Sequence, residues 1–159
     1  MKLVVDASPL ILLIAAEKLS LLPNLANEVV VPEAVLGELE SGKTRDHAAA
    51  RLRTAPWAKV GETVPISSVI AGWDLGLGES AVLGWAASRP GFTCVLDDRA
   101  ARNCALTMGL PFVGTLGLVL AAKEAGFLPA ARPVLAAMMR AGYYLSDDLL
   151  ERALRGVGE

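Results

Sequence analysis

The chain opens Met1-Lys-Leu-Val-Val-Asp-Ala-Ser-Pro-Leu10, and these ten residues decide the fold. A short run rich in β-branched side chains, Leu3 to Val5, delivers an aspartate. It then breaks at Ala7-Ser8-Pro9 before a second apolar run, Leu10 to Ile14. An apolar run that ends abruptly in a turn fits a buried strand of a parallel sheet, and Pro9 fits the first turn of the helix that follows. Asp6 is then at the strand's carboxyl end, where open α/β sheets gather their chemistry. Taken alone, the stretch also admits a plainer reading, in which Asp6 only helps to cap the helix and Ser8 is the N-cap proper.

Further along, the same strand-and-helix unit recurs. Leu10 to Ala26 reads as a helical region that Glu17 and Lys18 interrupt and Pro23 stops or kinks. Glu28 to Val31 is a second buried strand, with Pro32 opening the helix Glu33 to Glu40 and Ser41-Gly42 closing it. At 100° per residue, Val35, Leu36 and Leu39 form the apolar stripe of that helix and Glu38 lies on its flank. Lys43 to Arg53 is the most charged segment and reads as an exposed helix, offering Arg45, Arg51 and Arg53 to a polyanion or simply to solvent. A third, irregular strand is expected near Ala58 to Val60, whereas Ile66 to Trp73 has no clear pattern. Gly76-Leu-Gly-Glu-Ser80 opens a helix that runs from Glu79 to Ser88, and Phe92 to Leu96 is the most strand-like run in the chain. It ends in Asp97-Asp98. A helix over Arg99 to Met108, a short strand at Pro111 to Val113 and a helix over Leu116 to Ala125 follow. Two more helices are expected between Pro129 and Arg155, the second capped by Ser146. Strand then helix, four or five times over, predicts an α/β fold: a parallel sheet of four to five strands with helices on both faces. One domain accounts for residues 1–159, with 129–159 as a C-terminal helical extension.

Composition bounds the possibilities. Of the 159 residues 53% are apolar and 20% charged, which is enough apolar material for a core and too little charge for a disordered chain. No apolar run approaches the roughly 18 to 20 residues needed to span a bilayer, so no membrane partner is expected and a cytoplasmic location is. Two cysteines without C-x-x-C spacing and one histidine, His47, cannot assemble a Cys/His zinc site. Cys94, inside the strand-like run, reads as a buried thiol. A net charge of −2 does not advertise a nucleic-acid binder, although 10 of the 15 basic residues are arginines that could line one face.

The acidic residues at strand ends or helix starts are few: Asp6, Glu38, Glu79, Asp97 and Asp98. Carboxylates gathered in a cleft raise one another's pKa unless a cation lies between them. Oxygen ligands without His or Cys select Mg²⁺ or Mn²⁺ over Zn²⁺, and such an ion suits phosphodiester hydrolysis. The competing motif is Gly76-Leu-Gly78-Glu-Ser-Ala81, a G-x-G-x-x-A pattern with Asp97 about 20 residues later, the spacing of a dinucleotide site. Against it, no strand leads straight into Gly76, and Glu79 would bring negative charge to the place of the pyrophosphate.

Five segments, in order, resemble blocks of the PIN-domain family. They are Val4-Val-Asp-Ala-Ser-Pro-Leu-Ile11, Val31-Pro-Glu-Ala-Val-Leu-Gly-Glu38, Gly76-Leu-Gly-Glu-Ser-Ala81, Val95-Leu-Asp-Asp-Arg99 and Val113-Gly-Thr-Leu-Gly117. The nearest branch is the PIN-like DUF3368 group, and the resemblance is strongest over residues 1–128. It implies a metal-dependent endoribonuclease, in prokaryotes commonly the VapC-type toxin of a toxin–antitoxin pair, using Mg²⁺ or Mn²⁺. By the same resemblance Asp6, Glu38, Glu79 and Asp98 are the catalytic acids, Asp6, Glu79, Asp97 and Asp98 the metal ligands. Ser8, Arg99, Arg102 and Thr115 bind or orient substrate and carboxylates. RNA, a cognate antitoxin and a second copy of the chain are the implied partners. Two departures stand out: the family's Thr-x-Asp is here Leu96-Asp97-Asp98, and the acid that often follows is replaced by Arg99-Ala-Ala-Arg102. The choice between Asp97 and Asp98 stays open, and so does a second reading, a catalytically degenerate PIN-like module that binds RNA or a protein.

Overall fold

A computed structural model describes residues 1–41 and 48–159. At its centre is β1 (Lys2–Val5), in which Leu3, Val4 and Val5 are all buried. Successive strand residues point to opposite faces, so three buried in a row require cover on both sides of the sheet. The elements that provide it follow in chain order: α1 (Ala7–Ala15), α2 (Leu21–Leu25), β2 (Glu28–Pro32), α3 (Glu33–Ser41), α4 (Ala48–Thr54), β3 (Ala58–Gly61) and α5 (Ser68–Ala71). After them come α6 (Leu77–Ser88), β4 (Phe92–Val95), α7 (Arg99–Thr107), β5 (Phe112–Val113), α8 (Thr115–Glu124), α9 (Arg132–Arg140) and α10 (Asp147–Gly156).

The five strands form one sheet in the order β3-β2-β1-β4-β5, and every pairing is parallel. The chain steps outward from β1 to β3, then returns to the other side of β1 as β4. Strand order therefore reverses between β1 and β4, and connections leaving in opposite directions open a crevice at their carboxyl ends. Backbone bonds carry the ladder to its lip: Asp6 N donates to Val95 O (3.2 Å) and Leu96 N to Val113 O (3.0 Å). The next residues, Asp6 on one strand and Asp97 on its neighbour, emerge into the crevice.

Local differences from the sequence reading have physical causes. The helical region after β1 breaks at Glu17, which takes a φ of +55°, as Glu17 and Lys18 implied, but Pro23 does not stop it. Pro23 is the third residue of α2, in a first turn whose N–H groups have no intrahelical acceptor, so its missing donor costs little there. The N-cap position of α1 is held by Asp6, not Ser8, which is its second residue. In the charged segment, Gly42, Arg45 and His47 lie outside the described residues, and α4 covers its second half. Arg53 is committed to Glu33 (2.5 and 3.0 Å) and Glu40 (3.1 Å) rather than offered to a polyanion. Cys94 is buried, with burial and then the neighbouring Cys104 pushing its thiol up to about 12. Among the described residues no helix is long and apolar enough to cross a membrane.

Leu3 is fully buried on the central strand. Leu3→Ala is expected to lower the unfolding free energy by about 2–5 kcal/mol in urea titration; a loss below about 1 kcal/mol would show that β1 is not the centre of the core.

Candidate active site

Asp6 is only 4% exposed, and its Oδ1 is buried without a hydrogen-bond partner. Although it occupies the N-cap position of α1, its side chain makes no capping bond. The helix-cap reading of Asp6 therefore fails on geometry. Burial pushes its pKa up to about 7; the Ala7 amide opposes this, and the charges of Glu79, Glu38 and Asp97 add to it. Three acids from three other places in the sequence thus act on Asp6 in the crevice.

Glu38 and Glu79 meet at the start of α6. Glu38 Oε1 reaches across from α3 and accepts from Gly78 N (2.8 Å), while Glu79 Oε2 turns back to accept from Gly76 N (2.9 Å). Two of the amides at this helix start that would otherwise lack acceptors are satisfied by carboxylates, one of them from another helix. The N-cap residue is Gly76, which has no side chain to do this itself. Gly78 makes the approach possible: a Cβ there would stand 2.7 Å from Glu38 Oε2 and 2.9 Å from its Cδ. The G-x-G pattern therefore admits a carboxylate of the chain itself, where a dinucleotide site would need the pyrophosphate.

Asp97 is held by the start of α8. Its Oδ1 accepts from Thr115 N (2.8 Å) and its Oδ2 from Thr115 Oγ1 (2.5 Å), and Thr115 is fully buried. Leu96, the residue before Asp97, is buried and apolar, so it is Thr115 that orients the acid. Asp98 has a different duty. It is exposed, and its Oδ1 accepts from Ala101 N (2.8 Å) as the N-cap of α7. The structure thus brings Asp6, Glu38, Glu79 and Asp97 together and gives Asp98 to the helix cap. Arg99 is exposed on the first turn of α7. Arg102 lies beside Asp97: Arg102 Nη1 and Asp97 Oδ1 both fall within 4 Å of the point a Gly114 Cβ would take. Its guanidinium is also 5.9 Å from the Phe112 ring centroid. Ser8 is exposed and lines a shallow cavity of about 240 Å³ together with Asp97 and Tyr143. Tyr143 was not among the expected site residues; it comes from the loop after α9, and no local sequence pattern ties it to Asp97.

A family model described as DUF3368: PIN domain matches residues 2–159. The chain belongs to the PIN-domain family. The match takes in α9 and α10, so the C-terminal helices belong to the matched region. PIN domains are generally nucleases, typically with divalent metals, and act on RNA. A comparison with curated proteins finds no match.

Whether this PIN domain's acids fit such a metal turns on Asp6. A buried carboxylate with one oxygen unpartnered and three further acids acting on it is what a divalent cation would neutralise. The donors are all oxygens, as Mg²⁺ and Mn²⁺ prefer. Among the described residues no three His, Cys, Asp or Glu side chains are close enough together to grip an ion by themselves.

Two outcomes are expected without metal. Asp6 binds its proton up to about pH 7 when folded, but only to about 3.8 when unfolded. Its contribution to stability is therefore full below about 3.8 and lost as the pH rises to about 7. Asp6→Asn removes that dependence, so in EDTA the variant should gain on the wild type between about pH 4 and 7, by on the order of 2–4 kcal/mol, and hold the gain above. Urea titrations that ran parallel across this range would contradict a buried Asp6. Gly78→Ala should cost about 1–3 kcal/mol in the same assay, because Glu38 must yield its bond to α6; an unchanged midpoint would mean that Glu38 makes no such contact.

Proposed function

We propose that the chain is a Mg²⁺- or Mn²⁺-dependent endoribonuclease of PIN type that hydrolyses RNA phosphodiester bonds. The observation that carries this reading is the orphaned Asp6 carboxylate facing Glu38, Glu79 and Asp97 at the point where strand order reverses. Asp6 and Asp97 are the principal ligands, because each emerges from a strand end into the crevice. Glu79 and Glu38 hold the remaining side through the start of α6. An ion held by these residues would supply a Lewis acid for the scissile phosphate and would lower the pKa of a water for attack. Thr115 keeps Asp97 aimed by two hydrogen bonds. Arg99, exposed at the start of α7, and Arg102, beside Asp97, receive the RNA phosphates, and Ser8 lines the approach. With a net charge of −2, non-specific RNA affinity should be modest and strongly salt-dependent.

In the cell this activity fits a VapC-type toxin of the cytoplasm, restrained by a cognate antitoxin that brings a basic side chain to the acids. A homodimer is supported by exposed apolar side chains at one apolar hollow, Leu77 at 78% and Ile66 at 41% exposure. One observation favours a second reading. Glu38 and Glu79 already serve α6 as caps, so a catalytically degenerate module that binds RNA or a protein would retain them for stability alone.

Cleavage of a mixed structured RNA should require Mg²⁺ or Mn²⁺, stop in EDTA, and fall by at least roughly 100-fold in Asp6→Asn and in Asp97→Asn. Asp98→Asn preserves the α7 cap and should cleave within about twofold of wild type. Loss in the Asp98 variant with retention in the Asp97 variant would reverse the assignment. A folded wild type that neither cleaves RNA nor gains thermal stability with Mn²⁺ would leave the degenerate module as the function.

A further inference from the structure

The loop between α9 and α10 brings a side chain to the crevice that neither the sequence pattern nor the family match singles out. α9 ends in two characteristic backbone bonds, Gly142 N to Met139 O (3.1 Å) and Tyr143 N to Met138 O (3.0 Å). Together with Gly142 at a φ of +104° they form a Schellman motif, which reverses the chain at once. The next two residues part company. Tyr144 is 86% exposed, whereas Tyr143 turns inward and its Oη accepts from Leu116 N (3.3 Å).

Leu116 and Thr115 are the first two residues of α8, and their amides belong to the orphan donors of a helix start. The Thr115 amide goes to Asp97 and the Leu116 amide to Tyr143, so one helix terminus fixes both side chains beside each other. A phenol has a single proton to give. With Leu116 donating to its oxygen, that proton is free to be directed at Asp97, which borders the same cavity. The acidity of Tyr143 agrees: its pKa is pushed up to about 12, first by burial and next by the Asp97 carboxylate, while Leu116 and Arg102 act in the opposite sense.

We propose that Tyr143 is a positioning residue of the crevice, its hydroxyl held by the Leu116 amide and donating to Asp97 so that this carboxylate keeps the orientation that faces Asp6. Thr115 grips Asp97 from the start of α8, and Tyr143, anchored on the next amide of the same helix, reaches it from the C-terminal part of the chain. Helices α9 and α10 thereby join the site through one hydroxyl. The assignment rests on reading the crevice as a metal site, but the bond from Tyr143 to Asp97 can be tested without metal.

Tyr143→Phe keeps the ring and removes only the hydroxyl, and Tyr144→Phe is the control. In metal-free protein labelled with ¹³C and ¹⁵N, Tyr143→Phe should shift the Asp97 carboxyl carbon and the Leu116 amide while the other core resonances stay in place. By calorimetric titration it should bind Mn²⁺ roughly 10 to 100-fold more weakly than wild type, the usual effect of removing a partner of a metal ligand. Tyr144→Phe should match wild type in both. An Asp97 resonance that does not move, or Mn²⁺ affinity equal to wild type, would overturn the proposal. If the wild type itself takes up no Mn²⁺, the metal reading fails, and the metal-free resonances still decide whether Tyr143 holds Asp97.

Discussion

A carboxylate taken out of water with an oxygen left unpaired carries a cost of several kcal/mol, and this fold keeps one, Asp6, at the end of its innermost strand. The rest of the crevice is organised around that cost. Because β1 is covered on both faces, its end is the one place where a side chain can be deeply seated and still face an opening. The reversal of strand order brings β4 alongside, and Asp97 follows one position beyond the register partner of Asp6. Natural sequences keep such an arrangement where it serves chemistry, since an apolar residue at Asp6 would pack with less penalty.

Every acid that acts on Asp6 accepts from the start of a helix, and Asp6 itself stands at one. Asp6 begins α1, Glu38 and Glu79 share the start of α6, and Asp97 accepts from the start of α8. The positive ends of three helices therefore surround four like charges. Each such end is worth about 0.3–1 kcal/mol, rising to about 2 in partly buried settings. That is enough to hold Glu38, Glu79 and Asp97 in place through their amide bonds. It does not compensate Asp6, whose proton is retained to about pH 7 because burial outweighs the single amide that favours its charge. The local electrostatics are thus incomplete at one atom.

Much of this architecture was legible in the amino-acid order, for physical reasons. Runs such as Val29-Val-Val31 and Cys94-Val-Leu96 are apolar on every position, which only a strand covered on both faces tolerates. The acids at strand ends and helix starts followed from those runs. The break after α1 was legible at Glu17 and Lys18, but Pro23 was read as a further stop without asking which turn it occupied; in a first turn it is compatible with α2. The choice between Asp97 and Asp98 was open for a related reason. Adjacent residues leaving a strand take different directions, and only the fold reveals that the residue just before α7 is its cap. Glu38's role depends on Gly78, forty positions away, and Tyr143's on Leu116, so neither has a local signature.

The outer strands of the sheet constrain what can meet this molecule. On one side β3 is four residues long and carries Lys59, whose ammonium pairs with Glu28 (2.9 Å) of the adjoining β2. On the other, β5 has two residues. Short borders with a charge on one of them offer little ladder for a foreign strand to extend, a common protection against edge-to-edge aggregation. Recognition by strand addition is correspondingly disfavoured. A protein that engages this chain must do so through helix faces or by laying an arm along the crevice, and its own segment is best supplied as a helix or an irregular tail.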